Sequence, residues 1–305
     1  MRLKYNADTQ LVFQIGDPIE HACAGFLHNA MYDLANVNAV CTLVRLEKGK
    51  LPEFIEAGKL LGINGFDITT PHKTDIIQYL DECDEASRVF KCVNHVKIVN
   101  GKLIGTGLDG VGMGLSIEHA AGGPGSLKGQ TAIIVGAGAV AGPIAADLCE
   151  RGVKGIFIAN RTVPKAEYIA EQLKELYDVT TGVGALEHDY LSSIANKADI
   201  VVQCTSIGLP GHPGEFPSLD FLKEVPKHCI TADVLYPKTD FLHACEAQGL
   251  KTINGMGMLL YQQIAAIDFR FGVKLDESCL AIAEESLVSC IAMRQLRDQR
   301  LAKKK

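Results

Sequence analysis

A glycine-rich segment is the part of the sequence that most clearly indicates ligand binding. The apolar residues 133–135 run directly into Gly136, Gly138 and Gly142, a pattern that predicts a buried strand, a tight turn and a helix. Gly136 permits the turn, Gly138 lets the backbone approach a pyrophosphate, and the N–H groups of the helix start favour an anion. The third glycine comes one position later than in the common fingerprint, with Ala141 in the usual place. We therefore predict that a dinucleotide binds at Gly136, Ala137, Gly138, Ala139 and Val140.

The end of the next predicted strand indicates which dinucleotide binds. Asn160, Arg161 and Thr162 stand there, and Lys165 follows. An NAD site usually has a carboxylate at this point to hold the ribose 2′-hydroxyl. A guanidinium can instead form a pair of hydrogen bonds with a 2′-phosphate, which a carboxylate would repel. The sequence therefore favours NADP over NAD.

A parallel sheet is needed to position these residues. Strands are predicted at residues 131–135, 155–159, 200–203 and 229–233, with helices after the first two. Such alternation with short connections implies a parallel sheet covered on both faces.

The remainder of the chain has a similar alternation. Strands are predicted at 11–15, 39–44 and 65–69, helices at 26–34, 51–61 and 73–80, a hairpin at 93–104 with an Asn100-Gly101 turn, and two C-terminal helices at 257–271 and 277–297.

The length of 305 residues favours two domains, because one core rarely exceeds about 250–300 residues. A Gly/Pro/Ser-rich stretch at 121–129 marks a boundary nearby. We predict an α/β protein with two domains. An N-terminal α/β substrate domain, residues 1–113, is completed by the C-terminal helices in 257–305. Residues 114–256 form a Rossmann-like NADP domain with a parallel sheet.

Composition excludes several classes of protein. The net charge of −6 comes from scattered residues without a basic stripe, which argues against nucleic-acid binding. The first residues lack the apolar core of a signal peptide, and no apolar run approaches the ~20 residues of a membrane span. We therefore expect a cytoplasmic protein without a membrane partner. The ten dispersed cysteines contain no Cys-x-x-Cys pair, so we predict thiols rather than disulfides, and no metal site. The basic end, Lys303 to Lys305, is expected to be solvated.

Seven short stretches together resemble the shikimate dehydrogenase family, in order and in spacing, over nearly the whole chain. They are Gly16-Asp17-Pro18-Ile19-Glu20-His21, Thr69-Thr70-Pro71-His72-Lys73, Val93-Asn94, Leu108-Asp109-Gly110-Val111-Gly112, Asn160-Arg161-Thr162-x-x-Lys165, Cys204-Thr205-Ser206-x-Gly208 and Gly255-Met256-Gly257-Met258-Leu259-x-x-Gln262.

The resemblance implies a two-domain enzyme with an active-site cleft. It implies that Lys73 and Asp109 are the catalytic pair for hydride exchange between NADP(H) and a ring hydroxyl or ketone of a cyclic polyol, in aromatic amino acid biosynthesis. The remaining residues that it assigns fall into two groups. Substrate contacts are Thr69, Asn94, Gln262 and Tyr236, and cofactor contacts are Thr205, Ser206, Val234 and Gly255.

General chemistry agrees with the catalytic pair. Hydride transfer to a ketone leaves an alkoxide, so a proton donor must lie within hydrogen-bond reach. A lysine ammonium can give that proton, and a nearby carboxylate can orient the amine and accept a hydrogen bond from a substrate hydroxyl.

The sequence departs from the family pattern around the substrate. The family carries two serines that hold the substrate carboxylate, where this chain has Ala22 and Ala24. Hydrogen bonds to a charged group contribute roughly 1.5–3 kcal/mol each, so this loss weakens carboxylate recognition by about 10²–10⁴-fold. Other departures are Asp67 for a common Asn, His95 for a common Thr, and Gly107-Leu108 before Asp109.

Because the departures gather at the substrate, we expect retained chemistry on an altered substrate. Quinate, a modified shikimate and a cyclic polyol without a carboxylate remain alternatives. So do carboxylate binding through other groups, a non-catalytic NADP-binding regulator on the same fold and another reductase with a similar nucleotide domain. A monomer and a homodimer both stay open.

Overall fold

The computed structural model describes residues 5–19, 22–208, 214–236 and 238–302. Contacts within the chain divide it into two compact units. The first unit consists of Met1–Leu108 and Gln263–Lys305, and the second unit is Asp109–Gln262. The sequence analysis puts the corresponding boundaries after residues 113 and 256. Glu20 and His21, from the first matched stretch, and the basic end Lys303 to Lys305 lie outside the described residues.

The described part of the first unit contains a six-stranded mixed sheet. Its strands are β1 (Gln10–Gly16), β2 (Ala39–Arg45), β3 (Gly65–Ile68), β4 (Glu82–Cys83), β5 (His95–Val99) and β6 (Lys102–Thr106). They lie in the order β2-β1-β3-β5-β6-β4, with β1 parallel to β2 and β3, and β5 antiparallel to β3 and β6. Helices of this unit are α1 (Ala24–Leu34), α2 (Leu51–Leu61), α3 (Glu85–Val89) and, near the C-terminus, α10 (Leu280–Ala302).

Strands β1 and β3 are held by an apolar core. Ile15 and Phe66 of the sheet are fully buried and belong to one cluster with Leu51 and Ile55 of α2. Helix α2 ends at Gly62, whose φ of 63° allows its N–H to bond the last carbonyls of the helix. The β5–β6 turn has positive φ at both Asn100 and Gly101, as the predicted hairpin requires.

The helix predicted at 73–80 is wrong in extent and type. Only a 3₁₀ helix, Asp75–Tyr79, forms there. Beyond it the backbone N–H of Asp81 bonds Leu103 (2.9 Å), which draws the chain into strand β4 beside β6. Pairing with the sheet therefore wins over a local apolar periodicity.

The second unit contains, in its described part, a six-stranded sheet with every neighbouring pair parallel. Its strands are β7 (Thr131–Val135), β8 (Gly155–Ala159), β9 (Thr180–Gly184), β10 (Ile200–Gln203), β11 (Ile230–Asp233) and β12 (Lys251–Ile253), in the order β12-β11-β10-β7-β8-β9. The helices are α4 (Asp109–Ala121), α5 (Ala141–Glu150), α6 (Val163–Leu176), α7 (His188–Ala195) and α8 (Asp240–Ala247). They are followed by α9 (Gly255–Phe271), whose residues from Gln263 onward belong to the first unit. This architecture confirms the predicted α/β fold class.

Helix α4 belongs to the second unit because its glycines allow close packing there. A side chain at Gly110 would collide with the carbonyl of Pro143 in α5, and one at Gly112 with the carbonyl of Met258 in α9. The turn-rich stretch at 121–129 therefore connects α4 to β7 inside this unit. Composition alone draws attention to that stretch, whereas packing sets the division of the chain earlier.

In the described part of the chain, no helix is both long enough and apolar enough to cross a bilayer.

Candidate active site

The glycine loop between β7 and α5 has the features of a dinucleotide site. Gly136 has a φ of 104°, and a Cβ there would come within 2.6 Å of Thr205. A Cβ on Gly138 would meet only the carbonyl of Cys204, at an ordinary 3.4 Å. The protein's own packing thus requires glycine at 136 but not at 138. Close approach of a ligand gives a reason for Gly138, and helix α5 begins after it with no side-chain cap and no acidic residue in its first turn.

Asn160 connects this loop to the end of β8. Its side-chain oxygen accepts a hydrogen bond from the N–H of Ala137 (3.0 Å), and its amide donates to the carbonyl of Thr162 (2.9 Å). Arg161 and Lys165 are exposed. Two cations beside the loop suit the 2′-phosphate of NADP, so the residues present fit the cofactor that the sequence predicts.

Thr205, Ser206, Val234 and Gly255 follow the strands on the other side of β7. Thr205 lies against Gly136, and its hydroxyl accepts from the N–H of Ile207 (3.0 Å). A side chain on Gly255 would overlap the carbonyl of Val234. Ser206 is exposed. Strand order reverses beside β7, and ligands of open parallel sheets bind outside the carboxyl ends of strands at such a point.

Asp233 supports this edge, and sequence reasoning missed it. Its carboxylate accepts hydrogen bonds from the N–H of Leu235 (2.9 Å) and the hydroxyl of Thr239 (2.5 Å). Burial raises the pKa of Asp233 to about 6, because the ionised form loses water. The side chain holds the segment that carries Val234 and Tyr236. Its signal in the sequence was only a charged residue at the end of an apolar strand.

Asp109 and Gln262 are brought together within the second unit. Asp109 is the first residue of α4 and is buried, and the side-chain amide of Gln262 donates to its Oδ1 at 3.4 Å. The contact between Gly112 and α9 sets this spacing. A carboxylate is an acceptor suited to a hydroxyl-bearing ligand. Tyr236 is half-buried in the same unit.

Thr69, Lys73 and Asn94 are brought together in the first unit by backbone hydrogen bonds. The N–H of Ile68 bonds the carbonyl of Asn94 (2.8 Å), and the N–H of Val93 bonds the carbonyl of Lys73 (3.1 Å). The side-chain oxygen of Asn94 accepts from the N–H of Leu108 (2.8 Å). Thr69 and Lys73 are half-buried. The segment with the predicted catalytic lysine is therefore fixed on the start of β5.

Ala22 and Ala24 lie at the start of α1. Ala22 is half-buried, and its N–H bonds the carbonyl of Ile19 (2.9 Å). The side chain of Ala24 lies outside the described part of the chain. Between them, Cys23 is buried, and its Sγ lies 3.3 Å from Nη1 of Arg294 in α10. Neither position carries a hydroxyl, whatever the ligand.

Comparison with known proteins gives consistent results. The family described as "Shikimate dehydrogenase substrate binding domain" matches residues 14–96, and "Shikimate / quinate 5-dehydrogenase" matches residues 118–210. The shikimate dehydrogenase (NADP(+)) of Methanococcus aeolicus is 35% identical over 273 residues, which cover 89% of this chain and 95% of that protein.

Two solved structures resemble the fold closely. A shikimate dehydrogenase in complex with NADP⁺ is 31% identical with a TM-score of 0.81, over 93% of this chain and 96% of the other. The ligand-free 5-ketofructose reductase of Gluconobacter sp. strain CHM43 is 28% identical with a TM-score of 0.82, over 93% of this chain and 99% of the other.

Proposed function

Because the chain belongs to the shikimate dehydrogenase family, we propose that it oxidises a ring hydroxyl, or reduces the matching ketone. The protein is an NADP-dependent oxidoreductase that acts on a CH–OH group. The observation that carries the proposal is the combination, within the second unit, of a dinucleotide loop and the buried Asp109–Gln262 pair. The proposal includes action in the cytoplasm, as a monomer or a homodimer.

Bound NADPH supplies the hydride in the reductive direction. The ammonium of Lys73 then donates a proton to the oxygen that gains negative charge, and in the oxidative direction its neutral amine accepts the hydroxyl proton. Asp109 accepts a hydrogen bond from a substrate hydroxyl. Thr69, Asn94, Gln262 and Tyr236 provide further polar contacts. A ring with several hydroxyls requires such fixed neutral groups.

The cofactor is held by the loop from Gly136 to Val140, with Arg161, Thr162 and Lys165 toward the 2′-phosphate. Asn160 keeps its assigned place at this site but acts by holding the loop, since both polar atoms of its side chain bond backbone groups. Thr205, Ser206, Val234 and Gly255 complete the set.

The substrate class follows from Ala22 and Ala24. Without hydroxyls there, a carboxylate loses two charge-assisted hydrogen bonds, a loss of about 10²–10⁴-fold in binding. The similar 5-ketofructose reductase is named for a polyhydroxylated ketone that has no carboxylate. We therefore propose an uncharged polyhydroxylated ketone and its alcohol as the substrate pair, with shikimate and quinate as the less favoured alternatives.

Turnover of the Lys73→Met variant tests the chemistry. With NADPH and 5-ketofructose, or NADP⁺ and shikimate or quinate, we expect kcat to fall by about 10²–10⁴-fold because the proton donor is lost. The Kd for NADP⁺ should stay unchanged, since the cofactor residues are in the second unit. Lys48→Met, at an exposed lysine of the first unit, is the matched control. Full activity of Lys73→Met would remove this lysine from the reaction, and an inactive wild type that binds NADP⁺ tightly would favour the regulator.

A comparison of substrates tests the proposed class. We expect wild-type kcat/KM to be higher for 5-ketofructose than for 3-dehydroshikimate. Introducing Ala22→Ser with Ala24→Ser should raise kcat/KM for shikimate by up to about 10²-fold while leaving 5-ketofructose nearly unaffected. Efficient use of shikimate by the wild type would show that other groups bind its carboxylate and would exclude our substrate class.

A further inference from the structure

A buried polar cluster lies in the first unit, on the central strand of its sheet. Asp67 of β3 is in register with Gln14 of β1 and His95 of β5. His28 comes from α1 and Arg270 from the end of α9. We call Asp67, His28, His95 and Arg270 the Asp67 cluster. All four residues are buried, and the side chain of Arg270 is 0% exposed.

The Asp67 carboxylate lies among one arginine and two histidines. Oδ1 accepts hydrogen bonds from Nη2 of Arg270 (2.5 Å) and from Nδ1 of His95 (2.7 Å). Oδ2 lies 2.5 Å from Nε2 of His28. Although burial opposes the ionised form, the charge of Arg270 and the two imidazoles hold the pKa of Asp67 well below its usual range. Asp67 is therefore an anion, and Arg270 is its counter-charge.

The fold tolerates each charge of a buried ion pair only while the other partner is present. Removing one partner of a buried ion pair typically costs about 3–5 kcal/mol, whereas replacing both charges with neutral groups is often tolerated. Burial also lowers the pKa of His28, in spite of the nearby carboxylate, so this imidazole is neutral at pH 7. The charges of Asp67 and Arg270 therefore depend on each other.

A metal ion is the rival occupant of this place. Ligand atoms of His28, Cys41 and Asp67 lie within 4.8 Å of one another. Three features oppose a cation. Oδ1 of Asp67 already accepts two hydrogen bonds, burial raises the pKa of the Cys41 thiol and so favours its protonated form, and the guanidinium of Arg270 repels positive charge. Arg270 thus neutralises the charge of Asp67 in place of a metal ion.

The cluster is directly joined to the proposed substrate residues. Thr69 follows Asp67 by two residues along the same segment, and Asn94 immediately precedes His95. The two segments are paired where they leave the cluster, through the bond from Ile68 N–H to the Asn94 carbonyl (2.8 Å). The Asp67–His95 bond fixes the register one residue earlier. A shift at Asp67 would therefore move Thr69 and Asn94 together.

We propose that Asp67, neutralised by Arg270, is a positioning residue that fixes the spacing of Thr69 and Asn94 for substrate binding. This inference rests on the proposed function, because it takes those two residues as substrate contacts. Asp67 itself acts through its neighbours and not on the reacting atoms.

The test uses Asp67→Asn combined with Arg270→Gln in the full-length protein. The double variant removes both charges and avoids the unpaired arginine that would unfold Asp67→Asn alone. We expect faster amide hydrogen exchange in peptides that cover residues 64–74 and 90–98. With 5-ketofructose and with shikimate, we expect kcat/KM to fall by up to about 10²-fold, mainly through KM, while the Kd for NADP⁺ is unchanged.

The control in the second unit is Asp147→Asn with Glu118→Gln and Arg151→Gln, because Arg151 bonds both carboxylates and all three charges must be removed together. There too a buried carboxylate bonds an arginine, with Nε 2.6 Å from Oδ2, but no proposed substrate contact is adjacent in the chain. This variant should keep the substrate KM and the exchange of both peptides. The single variant Arg270→Lys keeps Asp67 and a positive charge but not the guanidinium geometry. Its KM for the substrate should lie between those of the wild type and the double variant.

Several outcomes would overturn the inference. They are unchanged exchange in the double variant, faster exchange with an unchanged KM, or an equal rise in KM in the control. One zinc ion per wild-type chain that is absent from the double variant would establish the metal site instead. If the wild type turns over no substrate, the proposed function fails, and the exchange data alone then decide whether Asp67 holds the two segments.

Discussion

Asn160 and Arg161 are neighbours with different tasks. Both polar atoms of the Asn160 side chain form hydrogen bonds with backbone groups, while the guanidinium of Arg161 is exposed and can bind a phosphate. Chemistry of this local kind is readable from sequence because the strand, the turn and the basic residues are adjacent in the chain. Arg270 was not found in that way, since 203 positions separate it from Asp67 and no local pattern connects them.

Arg161→Ala is expected to weaken NADP⁺ binding selectively. Loss of a charge-assisted contact to the 2′-phosphate should raise the Kd for NADP⁺ by about 10–100-fold and leave the Kd for NAD⁺ nearly constant. Calorimetric titration with both cofactors measures this, with Lys174→Ala on the exposed side of α6 as the control. Equal losses for the two cofactors would refute the assignment of the phosphate to Arg161.

His28 should make the fold sensitive to mild acid. Its folded pKa is lowered from 6.5, first by burial, so below pH 6.5 the unfolded chain binds a proton that the folded chain excludes. Its contribution to the unfolding free energy thus falls as pH drops through this range, by at most about 1.4 kcal/mol per pH unit. His28→Gln removes this titration and keeps an amide donor near Asp67.

Thermal unfolding of wild type and His28→Gln at about pH 7.5 and about pH 5.5 checks the sign of this effect. The melting temperature of the wild type should fall more between the two conditions. Parallel shifts in both proteins would mean that His28 does not set the pH dependence.

At the scale of elements, the two glycines of the loop have different roles, since Gly136 is needed for folding and Gly138 is assigned to cofactor binding. Gly136 has a positive φ and would collide with Thr205 if substituted, while Gly138 has room for a methyl group. The sequence motif assigns both glycines to cofactor binding and cannot distinguish them. The φ of Gly136 and its contact with Thr205, just after β10, exist only in the folded sheet.

We expect Gly138→Ala to weaken NADP⁺ binding by at least about tenfold with almost no change in melting temperature, because only the ligand approaches this position closely. Gly136→Ala should lower stability by about 1–2 kcal/mol, because a side chain is strained at this φ. Paired measurements of melting temperature and Kd for the two variants distinguish the roles. A destabilised Gly138→Ala with normal cofactor affinity would contradict the argument.

Helices and strands were predicted correctly where the local sequence pattern agrees with the tertiary hydrogen bonding. The helix Leu51–Leu61 is confirmed with its bounds, since Pro52, the apolar spacing and Gly62 all act locally. The 73–80 segment failed because Asp81 bonds a strand whose position the local sequence does not reveal. The edge strands β9 and β12 were missed, since their short and partly polar sequences gain order from β8 and β11.

At the scale of the molecule, the second unit is continuous in sequence and has its own sheet and core. We expect residues 109–262 expressed alone to fold and to bind NADP⁺ with a Kd within about tenfold of the whole protein, because domains of this kind carry their own core. Circular dichroism and titration test this, with Gly138→Ala in the same fragment as the control. A fragment that stays unfolded would show that the second unit depends on the first.

The first unit, in contrast, is interrupted in sequence, and this affects its synthesis. A ribosome makes Asp67 long before Arg270, so the growing polypeptide holds an anion destined for the interior while its counter-cation has not yet been translated. The complete second unit emerges in between and can fold in the meantime. The last stretch of translation therefore supplies the counter-charge to a sheet whose strands have all been made, and a product truncated before Arg270 would leave its own carboxylate to be hydrated or protonated.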